Sequence, residues 1–183
     1  MSRILVDKII ASDCVETRQM FVKKGAVYTF LNPVSYLAAL KNENLFVGFD
    51  GIMVDGTILA VAIGLLYGKK IRRRSFDMTS IVTLLFRHSI SRKKTIYLIG
   101  ATLNQIERSV EILQRQFPEL RIVGYRDGYF SSEDEMRETC KSVVTLAPDY
   151  VIAGMGTILQ EKFLLRLKDY GYKGIGFTCG GFI

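Results

Sequence analysis

A single histidine, three cysteines and no long hydrophobic run define what this 183-residue chain lacks. Cys14, Cys140 and Cys179 are far apart and odd in number, with no C-x-x-C and no histidine alongside, so neither a disulfide framework nor a zinc site is indicated. His88, between Arg87 and Ser89, makes no triad and no metal site by itself and reads as a satisfied helix histidine. The longest uncharged apolar run, Ile58 to Tyr67, falls well short of the roughly 20 residues of a spanning helix and reads as a buried helix. Met1-Ser2-Arg3 leads into an apolar stretch broken by Asp7 and Lys8, which is not a signal-peptide pattern. There is no Walker sequence, no G-x-G-x-x-G and no D-x-D pair to hold a divalent metal on a nucleotide diphosphate. A nicotinamide oxidoreductase is therefore disfavoured, and no metal or other cofactor is expected. Any leaving-group charge would be met by arginines and helix dipoles.

The composition that remains is that of a globular protein, with 49% hydrophobic and 23% charged residues. Residues 1–183 are expected to form one domain, since no repeat, low-complexity tract or linker divides them. A net charge of +7 favours anionic partners: nucleotide sugars, lipid phosphates, acidic membranes or nucleic acid. The basic runs Lys69-Lys70-Ile71-Arg72-Arg73-Arg74 and Arg92-Lys93-Lys94 lack the interleaved aromatics that nucleic-acid binding would want. The first reads either as a solvated face or as a diphosphate- or membrane-recognising patch, and the second as a plain loop.

Hydrophobic periodicity predicts alternating strands and helices. Strands are expected at 26–31, 51–54, 95–99, 121–124, 149–155 and 174–179, each a short apolar run bounded by glycine or polar residues. Helices are expected after Asn32-Pro33, over 57–66, from about Asp77 to His88, through Ile106, Val110, Leu113 and Phe117, behind a Ser132/Glu135 capping box, and over 158–170. Such alternation predicts an α/β fold, a Rossmann-like, mostly parallel sheet with helices on both faces and ligands at the carboxyl strand ends.

Several candidate residues fall at those ends. Asp55 follows four apolar residues and precedes Gly56, which suits either a catalytic carboxylate or a simple helix cap. Asn32 before Pro33 is a natural N-cap whose amide could also bind a sugar hydroxyl. Thr29 lies on the same strand. Gln160 sits one turn into its helix behind Gly154 and Gly156, a helix start suited to phosphate.

Taken in order, Thr29-Phe-Leu-Asn32-Pro33-Val-Ser-Tyr36, Phe49-Asp-Gly-Ile-Met-Val-Asp55-Gly56, Arg74-Ser-Phe-Asp77-Met-Thr-Ser, Gly128-Tyr129-Phe130, Gly154-Met-Gly156 through Gln160-Glu161-Lys162, and Gly180-Gly181-Phe182 resemble the WecG/TagA/CpsF glycosyltransferases, glycosyltransferase family 26. The resemblance runs from about residue 20 to the end. It implies a GT-E type fold and an inverting, metal-independent transferase at the cytoplasmic face of the membrane. Such an enzyme moves a sugar, often of the N-acetylmannosamine type, from a UDP-sugar donor to a polyprenyl-diphosphate-linked sugar acceptor in teichoic acid, common antigen, capsule or exopolysaccharide assembly.

By the same resemblance, Asp55 is the base. Thr29, Asn32, Gln160 and Arg72, or Arg73 if the gap falls differently, contact substrate. Gly100, Gly128, Tyr129, Gly154, Gly156, Gly180 and Gly181 form the nucleotide site. Family relatives continue into a basic, membrane-associating tail, which is expected to lie beyond this chain. An anionic membrane surface and a homo-oligomer are the further partners implied. The alternative is a non-catalytic nucleotide-binding subunit of a polysaccharide-synthesis complex.

Overall fold

In the computed structural model, which describes residues 3–183, six strands form one wholly parallel sheet in the order β2-β1-β6-β5-β3-β4. The strands are β1 (Val27–Leu31), β2 (Gly51–Val54), β3 (Thr95–Gly100), β4 (Arg121–Arg126), β5 (Tyr150–Gly154) and β6 (Ile175–Thr178). The helices are α1 (Arg3–Asp13), α2 (Thr17–Met20), α3 (Pro33–Leu40), α4 (Glu43–Val47), α5 (Thr57–Tyr67), α6 (Ile81–Ser91), α7 (Leu103–Gln116), α8 (Glu133–Leu146) and α9 (Leu159–Asp169). Among the described residues no helix is long and apolar enough to cross a membrane.

The four inner strands are buried almost end to end because helices cover both faces, which is why they read as continuous apolar runs rather than alternating ones. Edge strand β4 alternates exposed and half-buried residues instead. The other edge, β2, is protected by α1, whose Ser12 hydroxyl accepts the Ile52 N–H at 2.9 Å. On one face α1, α3, α4, α5, α8 and α9 enclose a core containing Phe46, Phe49, Phe163 and Leu164. On the other, α6 and α7 pack over an aromatic cluster centred on Phe177, whose ring lies 5.5 Å from Tyr28 and 5.7 Å from Phe76.

Helices α7 and α9, which follow the neighbouring strands β3 and β5, lie on opposite faces, so the chain departs in opposite directions from the ends of these two strands. This divergence opens a crevice at the carboxyl edge of the sheet.

Three expectations change in detail. The helix expected from Asp77 begins at Ile81, because Asp77 first caps a turn, accepting the Thr79 N–H at 2.8 Å and its hydroxyl at 2.7 Å. The capping box at Ser132 is half formed: Ser132 Oγ accepts from Glu135 N, but the Glu135 carboxylate turns to Ser131 and Arg126. The helix at 57–67 is not buried; only Leu59, Ala60 and Ile63 face the core.

Candidate active site at the carboxyl edge of the sheet

Parallel pairing of β1 and β2 places Leu31 opposite Val54, so the residues that follow, Asn32 and Asp55, emerge side by side. Asp55 N donates to Leu31 O at 2.8 Å, fixing the strand ends together. Gly56 then turns with φ +99°, a conformation that glycine adopts freely, and α5 begins. The Asp55 carboxylate does not cap that helix, whose N-cap is Gly56 without a side-chain hydrogen bond. Half-buried Asp55 instead accepts a hydrogen bond from the Ser75 hydroxyl through Oδ1. Ser75 is buried, so the carboxylate is held from behind while remaining open to solvent in front.

Asn32 does cap its helix. Its Oδ1 accepts the Val34 and Ser35 N–H groups, each at 2.9 Å, worth about 1 kcal/mol of stability. The exposed amide NH2 donates to no acceptor among the described residues, so cap and ligand donor are compatible roles for one side chain.

The basic run divides residue by residue. Arg73 bridges to Val54 in parallel, and Arg74 N donates to Val54 O at 2.8 Å, so this segment runs extended beside β2. Alternation then sends Arg72 and Arg74 one way and Arg73 and Ser75 the other. Arg72 pairs with Asp13 at 3.6 Å and Glu16 at 3.7 Å. Arg74 is buried, donating to Val15 O and Ser12 O at 2.7 Å each and pairing with Asp13 at 3.5 Å. Both therefore anchor the segment to α1 and the stretch after it. Arg73 is exposed and makes an ion pair with Asp77 at 3.1 Å. Unlike Arg72 and Arg74, it makes no ion pair with α1 or the stretch after it among the described residues.

Thr29 and Gln160 lie in a buried polar network at the middle of the sheet. Fully buried Glu161 accepts the Thr29 hydroxyl at 2.9 Å and the Gln160 amide at 3.0 Å on one oxygen, and the Ile158 N–H at 2.6 Å on the other. Burial pushes the Glu161 carboxyl above its ordinary value, opposed by these three donors. Thr178 donates to Thr29 at 3.0 Å, and Gln160 Oε1 accepts the Gly180 N–H at 3.3 Å. The network thus ties β1, β6, α9 and the Gly180 turn into one unit. It also holds Ile158 at φ +80°, strained for a β-branched residue, at the entry to α9.

The glycines separate into two groups. A Cβ on Gly100 would lie 2.3 Å from Gly154 O, and one on Gly128 would lie 3.0 Å from Gly100 Cα, so these turns pack backbone against backbone. Gly128 N donates to Ala101 O at 2.9 Å and Ala101 N to Gly154 O at 3.1 Å, locking the three loops together. Gly156, Gly180 and Gly181 have open space where a Cβ would stand. Tyr129, in the loop after β4, is exposed, its N–H held by Asp127 at 2.9 Å. The first amides of α7 and α9 point to this same edge, an arrangement that favours anions.

The candidate residues therefore occupy one edge in two parts: Asn32, Asp55 and Arg73 at β1 and β2, and the glycine turns with Tyr129 at β3 to β6. Three strand spacings, about 14 Å, separate β2 from β5. Ser75 and Glu161 were not singled out from the sequence. Both stood only inside the quoted motifs, Ser75 after Arg74 and Glu161 after Gln160, and neither was given a role of its own. A cavity of about 640 Å3 lies at the opposite end of the sheet against Lys94, Asp149 and Tyr172, away from this chemistry.

A doubly wound, parallel α/β sheet with its polar side chains gathered at the carboxyl edge defines a Rossmann-like protein. The model of the WecG/TagA/CpsF glycosyl transferase family matches residues 2–183, and the chain belongs to that family. A UDP-Gal:alpha-D-GlcNAc-diphosphoundecaprenol beta-1,4-galactosyltransferase of Shigella boydii is 38% identical over 85% of this chain and 65% of its own. N-acetylglucosaminyldiphosphoundecaprenol N-acetyl-beta-D-mannosaminyltransferases of Bacillus spizizenii and Bacillus subtilis are 28% and 26% identical, over 91% and 92% of this chain and 64% and 65% of theirs. The chain thus spans about 65% of the length of these curated relatives.

Proposed function

We propose that this chain is the catalytic domain of an inverting, metal-independent glycosyltransferase that moves a sugar from a UDP-sugar to a sugar carried on a polyprenyl diphosphate, at the inner face of the cell membrane. The names of the relatives support the acceptor class, and the Shigella boydii relative supports a UDP-linked donor. The observation that carries the reading is the side-by-side emergence of Asn32 and Asp55 beside Arg73, open to solvent and separated along one edge from a glycine-lined anion cleft.

In the proposed reaction the acceptor hydroxyl sits against Asp55, with the Asn32 amide donating to a sugar oxygen. The Asp55 carboxylate takes the hydroxyl proton as the oxygen attacks the anomeric carbon from the face opposite UDP. The new carbon–oxygen bond forms as the bond to the UDP β-phosphate breaks, inverting the anomeric centre. UDP leaves with the electron pair, and its nucleoside part extends along the carboxyl edge towards the glycine turns. Arg73 meets the acceptor diphosphate.

Calorimetric titration with UDP, ADP and NADH in the presence of EDTA tests the nucleotide half. Selective binding of UDP supports the reading, and transfer from a UDP-sugar to a synthetic lipid-diphosphate sugar completes it. Binding of NADH in preference to UDP would refute it.

A further inference from the structure

The most apolar helix of the fold is also among its most exposed. From Thr57 to Tyr67, α5 has no charged residue, and Ile58 and Leu65, 77% and 81% exposed, turn outward with Val61 and Leu66. Its neighbour α3 is also free of charge, and Val34 and Leu37 are 77% and 61% exposed. The inner faces of the two helices share one core cluster, through Tyr36 and Ala39 of α3 and Leu59 and Ile63 of α5. Pro33 lies 3.9 Å from where a Cβ on Gly56 would stand, so the two helices also begin together. The 34/37 and 58/61/65 spacings put the exposed side chains on the outward stripe of each helix. A soluble monomer rarely exposes a contiguous apolar surface beyond a few hundred Å2 without a use for it.

The rim of this surface is basic. α5 ends at Gly68, and the exposed Lys69 and Lys70 follow, neither with a carboxylate partner among the described residues. Exposed Lys41 closes α3. A groove of about 410 Å3 lies between α5 and this segment, walled by Val61, Leu65 and Ile71 and edged by the two lysines.

We infer that the α3–α5 face is a docking surface for an anionic phospholipid bilayer, with the apolar stripes in the acyl boundary and Lys41, Lys69 and Lys70 at the headgroups. Apolar burial combined with unpaired cations of one sign matches an anionic lipid surface. A second copy of this chain, itself carrying a net charge of +7, offers no matching excess of anions to these lysines. The surface begins where Asn32 and Asp55 end their strands, so docking would present the site to the membrane. This deepens the proposed function, on which it rests for the meaning of that orientation.

The test is cosedimentation of the full chain with phosphatidylcholine vesicles, with and without phosphatidylglycerol, alongside light scattering and UDP calorimetry. The variants are Ile58→Ser with Leu65→Ser, and Lys69→Gln with Lys70→Gln. The parent is expected to bind only the phosphatidylglycerol vesicles, losing affinity as salt rises but not on addition of inorganic phosphate at constant ionic strength. The lysine pair should weaken binding about 25-fold, fivefold per charge. The serine pair should weaken it at least as much, with UDP affinity and thermal midpoint unchanged in both variants. Equal vesicle binding by parent and variants, or none by the parent, overturns the inference. A parent that is oligomeric where the serine pair is monomeric, with vesicle binding unchanged, also overturns it and assigns the face to a second copy. Loss of UDP binding in the parent with vesicle binding intact refutes the transferase reading and leaves the docking surface standing.

Discussion

Ser75 donates its hydroxyl hydrogen to Oδ1 of Asp55, across 20 residues of chain and from a segment that runs extended beside β2. The carboxylate is held through that oxygen, and in the proposed reaction the other takes the proton. Asp55→Asn is expected to reduce transfer by about 10^3-fold, within the range for a lost general base, with UDP affinity unchanged. Steady-state kinetics and calorimetry on the same preparation check this, and near-normal turnover would remove Asp55 from the chemistry.

Ser75→Ala should act through Asp55. Loss of one hydrogen bond to a charged group corresponds to about a tenfold decrease in kcat, with little change in UDP affinity. A purely structural role would show as a lowered thermal midpoint with kcat intact.

The three arginines should separate by phenotype. Arg73→Ala is expected to raise the KM for the lipid-diphosphate acceptor about tenfold with stability unchanged, as one charge-assisted contact is lost. Arg74→Ala should cost about 3 kcal/mol, because it leaves Asp13 and two carbonyls without their buried partner. Arg72→Ala should fall below 1 kcal/mol, its ion pairs being half exposed. Urea denaturation and acceptor titration together distinguish the three.

Glu161 should make stability fall as pH rises. Its folded carboxyl is held above the ordinary value near 4.5, so the folded state retains the proton that the unfolded chain has begun to lose. The stability of the parent relative to Glu161→Gln should therefore be greatest below that value and decline as pH increases through the folded value. A flat difference between pH 4 and 8 would show that the three donors fully offset burial.

Asp50, before β2, should behave in the opposite sense. Burial works against its charge, but hydrogen bonds from Lys168 at 2.8 Å, Lys23 at 2.9 Å and Val27 N at 3.0 Å outweigh it and hold the carboxyl below the ordinary carboxylate range. Its contribution should be fully present above the unfolded value and be lost as pH falls through the folded one. Asp50→Asn is expected to cost about 1–2 kcal/mol at pH 7, allowing for the half-exposed lysines, and little at acid pH. Chemical denaturation at both pH values measures it.

Much of this fold was legible because both the strand period and the helix period are local. Each of the six strands was placed to within about two residues of its observed ends, and the carboxyl ends carrying Asn32, Asp55, Gly100 and Gly154 followed from that. Helices α1, α2 and α4 were not read, α2 being only four residues long. α1 has Asp7 and Lys8 breaking its apolar stripe, and α4 is a five-residue helix too short to show a period. Apolar content made α5 look buried, but content reports what a helix could bury and not whether anything covers it.

Sequence alone determined the class of fold, the edge of the sheet that carries the polar residues, and the ordered motifs that mark the family, because alternating patterns and strand-end turns are written in consecutive residues. Tertiary structure alone decided which arginine is anchored and which is exposed. The strand beside β2 leaves Arg73 exposed and paired with Asp77, and sinks Arg74 against α1. Sheet order brings Thr29, Thr178 and Glu161 into one buried network. Those outcomes depend on which segments become neighbours, and contacts between residues 20 to 149 positions apart leave no local period to read.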